Sequence, residues 1–152
     1  MNEVQQNHSQ SQTWDFFHVL RTEMHKACAP IFHELGLTEI QVAVLVEIDA
    51  GCSCCAVGEL AERLNSNQGN FSALCKKLEH MELLVRSRSK EDERVVTPQL
   101  TEAGKAKVKA IHSKLDEMFR NNASEEQIQT IMAGYNEAVA VLKKINSQRG
   151  KS

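Results

Sequence analysis

The sequence predicts a mainly α-helical chain carrying one small β-hairpin, and three observations lead there. Two short segments of helical periodicity, GELAERL (58–64) and NFSALCKKLEHMEL (70–83), are joined by the polar loop Asn65-Ser66-Asn67-Gln68. The stretch LLVRSRSKEDERVVTPQLTEAG (83–104) follows: an apolar strand turns basic at Arg86, Arg88 and Lys90, passes a charged tip, and returns through Arg94-Val95-Val96. Longer amphipathic segments flank this middle on both sides. Helix, tight turn, second helix and charged hairpin is the order of a winged helix-turn-helix, whose second helix enters a DNA major groove.

Each element has a local cause. Residues 1–12 are rich in Gln, Ser and Asn and are expected to form a mobile tail. Phe17, Leu20, Met24, Ala27 and Ile31 make a helical stripe, with Pro30 loosening its last turn. Gly36 punctuates, and Thr38-x-x-Gln41 is a capping box that opens a helix with Val42, Leu45 and Val46 inward. That helix stops near Gly51, and Cys52 to Ala56 is expected as a short extended piece beside the hairpin. Helices over about 57–64 and 68–82 follow. After the hairpin, Thr101 caps a long helix with the stripe Val108, Ile111, Leu115, Met118 and Phe119. A second box, Ser124-x-x-Gln127, starts a last helix through Ile128, Ile131, Tyr135, Val139, Leu142 and Ile145. The domain plan is therefore a tail (1–12), a winged helix-turn-helix (37–100), and a helical dimerisation region from 13–36 and 101–147. The terminal stripes exceed what a winged helix needs for its own core, so a homodimer is the economical reading. A two-fold axis would set two reading helices about 34–36 Å apart, the spacing of successive major grooves.

Bulk composition narrows the function classes. At 152 residues with 41% hydrophobic and 25% charged side chains, the chain is globular rather than disordered. A net charge of −2 requires any contact with double-stranded DNA to come from a local basic surface. No apolar run approaches the roughly 18 residues of a membrane span, and the N-terminus lacks an apolar signal core, so no membrane role and a cytoplasmic location are expected. Five cysteines without a secretory signal favour free thiols over a disulfide framework.

The run LAERL followed by KKLEHMELLVRSRSKEDERVVTPQLTEAGK resembles the MarR (multiple antibiotic resistance regulator) family of transcription factors, and the resemblance extends from about residue 14 to 146. Its most specific part is the wing, Asp92-x-Arg94 followed by a short strand and Leu100-Thr101-Glu102-x-Gly104. The resemblance implies a winged helix on a helical dimerisation frame. It also implies repression of a nearby operon, relieved by a small-molecule effector or by thiol oxidation.

Arg94 at the wing tip suits a narrow minor groove, with Asp92 orienting its guanidinium; the bland alternative is a solvated ion pair worth less than about 1 kcal/mol. In the reading helix, Asn67, Gln68 and Asn70 carry amides suited to adenine or to phosphate, and Ser72 is a weaker candidate. Asn67 has a purely structural alternative as the helix N-cap. Lys76 and Lys77, a turn further on, suit phosphate or a solvated face. Many family members carry a basic residue mid-helix where this chain has Ala73.

Cys52, Cys54 and Cys55 form a cluster ahead of the reading helices. The thiols suit a soft metal ion, part of an iron–sulfur cluster, or redox control by oxidation; packing as small hydrophobes is the alternative. Cys28 and Cys75 lie singly on helical stripes and are expected to pack. His18, His25 and His33 are seven or eight residues apart, too far along a helix to co-ligate as neighbours. With His112, they are expected to be half-buried packing residues.

Two other classes compete. An enzyme would need a phosphate loop, an activated nucleophile or paired carboxylates, none of which the sequence displays. A winged helix used for protein contact would expose apolar side chains where Arg86, Arg88, Lys90 and Arg94 stand. Arg94→Ala is accordingly expected to weaken operator binding by about 1–3 kcal/mol while leaving the fold intact. The check is a binding isotherm repeated across a salt series; affinity equal to wild type throughout would exclude groove insertion.

Overall fold

The computed structural model describes residues 3–51, 56–88 and 95–149, in the order α1 (Glu3–Glu34), α2 (Glu39–Asp49), α3 (Val57–Arg63), α4 (Gln68–His80), β1 (Leu84–Arg88), β2 (Val96–Leu100), α5 (Glu102–Asn122) and α6 (Glu125–Arg149). The chain divides into two compact units, Met1–Ser113 and Lys114–Ser152. No helix among the described residues is long and apolar enough to cross a membrane.

The core of the first unit comes from its central elements. Val44, Leu45 and Ile48 of α2, Leu60 and Ala61 of α3, and Phe71, Cys75 and Leu78 of α4 are buried, together with Leu84, Pro98, Val108 and Ile111. The expected Thr38 box is present: the Gln41 amide N–H donates to Thr38 Oγ1 at 3.4 Å, and Thr38 N–H donates to Gln41 Oε1 at 2.8 Å. Gln41 is itself buried, and its Nε2 lies 3.7 Å from Met81 Sδ.

Three helices end in one device. At Gly36 (φ 72°), Asn65 (φ 51°) and Glu82 (φ 60°) the chain turns left-handed. In each case the next amide bonds five residues back: Leu37 to Phe32, Ser66 to Ala61, and Leu83 to Leu78, at 2.8–3.0 Å. These are Schellman caps, which satisfy carbonyls the helix leaves open. Glycine announces only the first of them.

The α4 cap delivers the chain into β1, which pairs antiparallel with β2 in the register Leu84↔Leu100, Arg86↔Pro98 and Arg88↔Val96. Proline is tolerated inside β2 because position 98 faces away from the ladder. The opposite residue, Arg86, donates its own N–H outward to Glu79 Oε1 at 3.2 Å rather than across the pair. The start of α5 then closes on the α4–β1 turn. Thr101 Oγ1 donates to the Glu82 carbonyl at 2.6 Å and accepts from Gly104 N–H at 3.0 Å, while Thr101 N–H donates to the Leu83 carbonyl at 3.2 Å. Gly104 is buried so tightly that an added Cβ would run into the Leu83 carbonyl oxygen. Lys107 Nζ, one turn on, donates to the Leu35 carbonyl at 3.1 Å beyond the end of α1.

In the second unit, the end of α5 leads into the expected Ser124 box, with Ser124 N–H to Gln127 Oε1 at 2.9 Å and Gln127 N–H to Ser124 Oγ at 3.2 Å. No residue of α6 is buried. Ile131, Met132, Tyr135, Val141, Leu142 and Ile145 are all exposed.

The structure bears on three expectations. The helix begins at Glu3, inside the segment expected to be a tail, since no proline or glycine interrupts residues 3–29 and Gln and Glu are good helix formers. The four histidines expected to be half-buried, His18, His25, His33 and His112, are exposed, because among the described side chains of α1 only Phe32 is buried and the core is built by later elements. His18 stacks on Trp14 with ring centroids 6.5 Å apart, and His25 Nδ1 sits 2.7 Å from Glu39 Oε2. Within the α5 stripe, Val108 and Ile111 are buried but Phe119 is exposed. The expected extended piece at 52–55 lies outside the described residues.

Gly104→Ala is expected to lower stability. An ordinary helical Gly→Ala exchange gains about 1 kcal/mol, whereas forcing a methyl against fixed backbone costs up to about 3 kcal/mol, leaving a net loss of about 2 kcal/mol. Urea unfolding of the two proteins measures it, and a variant as stable as wild type would show that the α5 contact yields freely.

Candidate nucleic-acid interface

The turn between α3 and α4 aims α4 outward. Asn65 turns the chain, and Asn67, with extended backbone (φ −67°, ψ 134°), accepts from Gly69 N–H at 2.9 Å. The N-cap role weighed for Asn67 is thus realised, leaving its side-chain NH2 and the second lone pair of Oδ1 for a partner. With Phe71, Cys75 and Leu78 committed to the core, the 3.6-residue period sends Gly69, Ala73, Lys76 and His80 directly away from it. Asn70 and Lys77 flank that line, also exposed, and Ser72 is half-buried. Gln68 is the first residue of α4. The outward surface of α4 therefore combines amide, hydroxyl, ammonium and imidazole groups with two positions that carry almost no side chain.

The hairpin divides its basic residues. Arg88 is exposed at the end of β1. Arg86 is not a free cation: its Nε donates to Glu79 Oε2 at 2.9 Å and a terminal nitrogen donates to the same oxygen at 2.7 Å. At side-chain exposures of 22% for Arg86 and 37% for Glu79, the pair is partly shielded and ties β1 to α4. Hydrogen bonding from the Arg86 guanidinium holds the Glu79 carboxyl below the usual carboxylate range. Lys90, Asp92 and Arg94 at the wing tip, and Cys52, Cys54 and Cys55, lie outside the described residues.

Glu79 and His80 belong to this surface although sequence reasoning did not single them out. A signal for Glu79 was present, because Arg86 shares a strand face with the buried Leu84 by the two-residue period, and a cation on an inward face needs a partner. His80 was legible as the fourth member of the 69-73-76-80 series.

The surroundings of the two thiols within the described residues disfavour the thiolate. Burial pushes the Cys75 thiol up to about 11, with Arg86 opposing and Glu79 reinforcing that rise. Burial also raises Cys28, helped by the nearby Glu39 carboxylate. Both stay protonated near neutrality, as packing residues do. Among the described residues no group of three or more His, Cys, Asp or Glu side chains could hold a metal ion.

Replacing Glu79 by Gln tests the clamp. A carboxyl held low in the folded chain contributes stability that is complete above its unfolded value of about 4.3 and is lost as the pH falls through the lower folded value. The wild-type advantage in urea midpoint over Glu79→Gln should be full at pH 7 and should shrink as the medium is acidified below about 4.3. A difference independent of pH would show that shape, not charge, carries the contact.

Comparison with known proteins places this geometry. Residues 26–111 match the family model described as transcriptional regulator SarA/Rot. The HTH-type transcriptional regulator SarZ of Staphylococcus aureus is 32% identical over 103 residues, which is 68% of this chain and 69% of that protein. Among solved structures, a complex of S. aureus MepR with DNA aligns with a TM-score of 0.64 at 23% identity, over 83% of this chain and 95% of that one. Apo MarR from E. coli aligns with a TM-score of 0.70 at 20% identity, over 81% and 93%. The fold is thus the winged helix of the MarR-like regulators, as the wing motif led one to expect. By the match across its core and hairpin, the chain belongs to the SarA/Rot family of transcriptional regulators.

Proposed function

We propose that this regulator binds double-stranded DNA as a homodimer, with α4 of each copy in a major groove and the hairpin beside it, and that it represses by occupying a pseudo-palindromic operator. The observation that carries this reading is the outward face of α4, where Asn70, Lys76, Lys77 and His80 surround small residues and Arg88 stands on the adjoining strand. Amides suit base edges, ammonium groups suit phosphates, and small side chains let a helix backbone approach the groove floor. That the similarly folded MepR has been solved in complex with DNA supports DNA as the partner.

Dimerisation is supported by apolar side chains without cover in the single chain. On α1 these include Trp14, 71% exposed, with Phe17, Leu20 and Met24; on α6 they include Tyr135, 59% exposed, with Ile131 and Leu142. Soluble chains seldom leave such stripes open. A second copy covers them, and the two-fold axis sets the half-site spacing. Since Cys28 and Cys75 are held as thiols, thiol control of binding would fall to Cys52, Cys54 and Cys55. Regulation without catalysis is the natural reading of a family whose members are transcriptional regulators.

Two measurements test the proposal. Sedimentation should give a dimer at micromolar concentration, and a stable monomer would sink the two-fold reading. Operator affinity should fall steeply with salt, and Lys76→Ala or Lys77→Ala should make the slope of log affinity against log salt shallower by about 0.9 for each duplex phosphate left without its ammonium partner. Slopes equal to wild type in both variants would remove α4 from the phosphate backbone.

A further inference from the structure

Ala73 occupies the middle of the outward face of α4. The core-facing residues Phe71, Cys75 and Leu78 define one side of the helix, and Ala73 lies opposite them, exposed, with Gly69 one turn before it and Lys76 one turn after. Nothing at positions 69 or 73 extends far enough to hold the helix off a groove floor. Among the described residues, the methyl of Ala73 is the one apolar group on that face, beside amide, hydroxyl, imidazole and ammonium neighbours.

In a major groove the four base pairs differ by their donors and acceptors and by one apolar feature, the C5 methyl of thymine. A side chain that can neither donate nor accept discriminates only through that methyl. We propose that Ala73 is a specificity-determining residue that sets its methyl against the C5 methyl of a thymine in each operator half-site, excluding water between them. Asn70, one turn earlier on the same side, then faces the neighbouring base pair, where its side-chain amide can take adenine N6 and N7. The half-site preference at the centre of the groove is therefore for a thymine read by apolar contact, beside a base read by hydrogen bonds. The arginine or lysine contact to guanine that a basic residue at this position would provide is absent. This inference rests on α4 being the reading helix.

The experiment begins with the full-length protein and a random pool of DNA duplexes, from which a bound sequence is selected. Each thymine of that duplex is then replaced singly by deoxyuridine, which removes the C5 methyl and leaves every hydrogen-bonding group in place. At one thymine per half-site the replacement should weaken wild-type binding about fourfold, the value of one buried methyl group. Ala73→Gly should bind the thymine and deoxyuridine duplexes equally at that position, and Ala73→Ser should retain at most part of the discrimination. The Ser variant keeps helix propensity closer to Ala, so a fold defect in the Gly variant does not remove the test.

Two results would overturn the inference while leaving DNA binding intact: tight wild-type binding with no deoxyuridine penalty at any thymine, or a penalty undiminished in both variants. A protein that selects no duplex at all would overturn the DNA-binding reading itself, and this inference with it.

Discussion

The outward surface of α4 depends on how α5 grips the turn between α4 and β1. That turn carries a non-glycine residue, Glu82, in a left-handed conformation, and its carbonyls at Glu82 and Leu83 point out of the helix end. Both are taken by Thr101, one by its hydroxyl and the other by its backbone N–H. The missing side chain at Gly104 lets the first turn of α5 close over Leu83. A left-handed residue that is not glycine carries a local cost, and it persists where its surroundings over-determine it. Here the surroundings are one hydroxyl, one amide and one absent methyl.

With that turn held, α4 and β1 leave it in fixed directions, and the Arg86–Glu79 pair ties them again a few residues later. An exposed pair between two flexible chains would contribute little. This one is partly shielded, places two donors on one carboxylate oxygen, and ties α4 to β1, so it helps fix the angle between helix and hairpin. The cation nearest the helix thus serves geometry, and Arg88 is left as the exposed cation of β1.

The outward face of α4 follows by elimination. Three residues are buried where α4 packs against α3 and the hairpin, and they consume one side of a 13-residue helix. Leu74 sits half-buried beside them, and what remains is polar or small. The surplus of exposed apolar side chains sits elsewhere, on α1 and α6, so the polar face of α4 is kept apart from them in the chain. That separation lets a protein with net charge −2 carry a polar, locally cationic face without a basic composition.

The sequence by itself determined the element order, the Thr38 and Ser124 boxes, the polar cap at Asn67 and the alternation that makes residues 84–100 a hairpin, because these depend on chemistry within a few residues. It misjudged where cover comes from. His18, His25 and His33 read as half-buried packing residues but are exposed, and the Gln-rich start is helical from Glu3 because nothing in it breaks a helix. The Schellman turns at Asn65 and Glu82 were hidden because no glycine marks them, and their cause lies in contacts such as Thr101 to Glu82, nineteen residues apart. Arg86 was legible as a cation but not as a clamp. Its partner is seven residues back across a helix end, and only packing α4 against β1 brings the carboxylate within 2.7 Å. Short-range bonding is written in neighbouring residues, whereas which charges are free and which are tied is decided by which surfaces the core presses together.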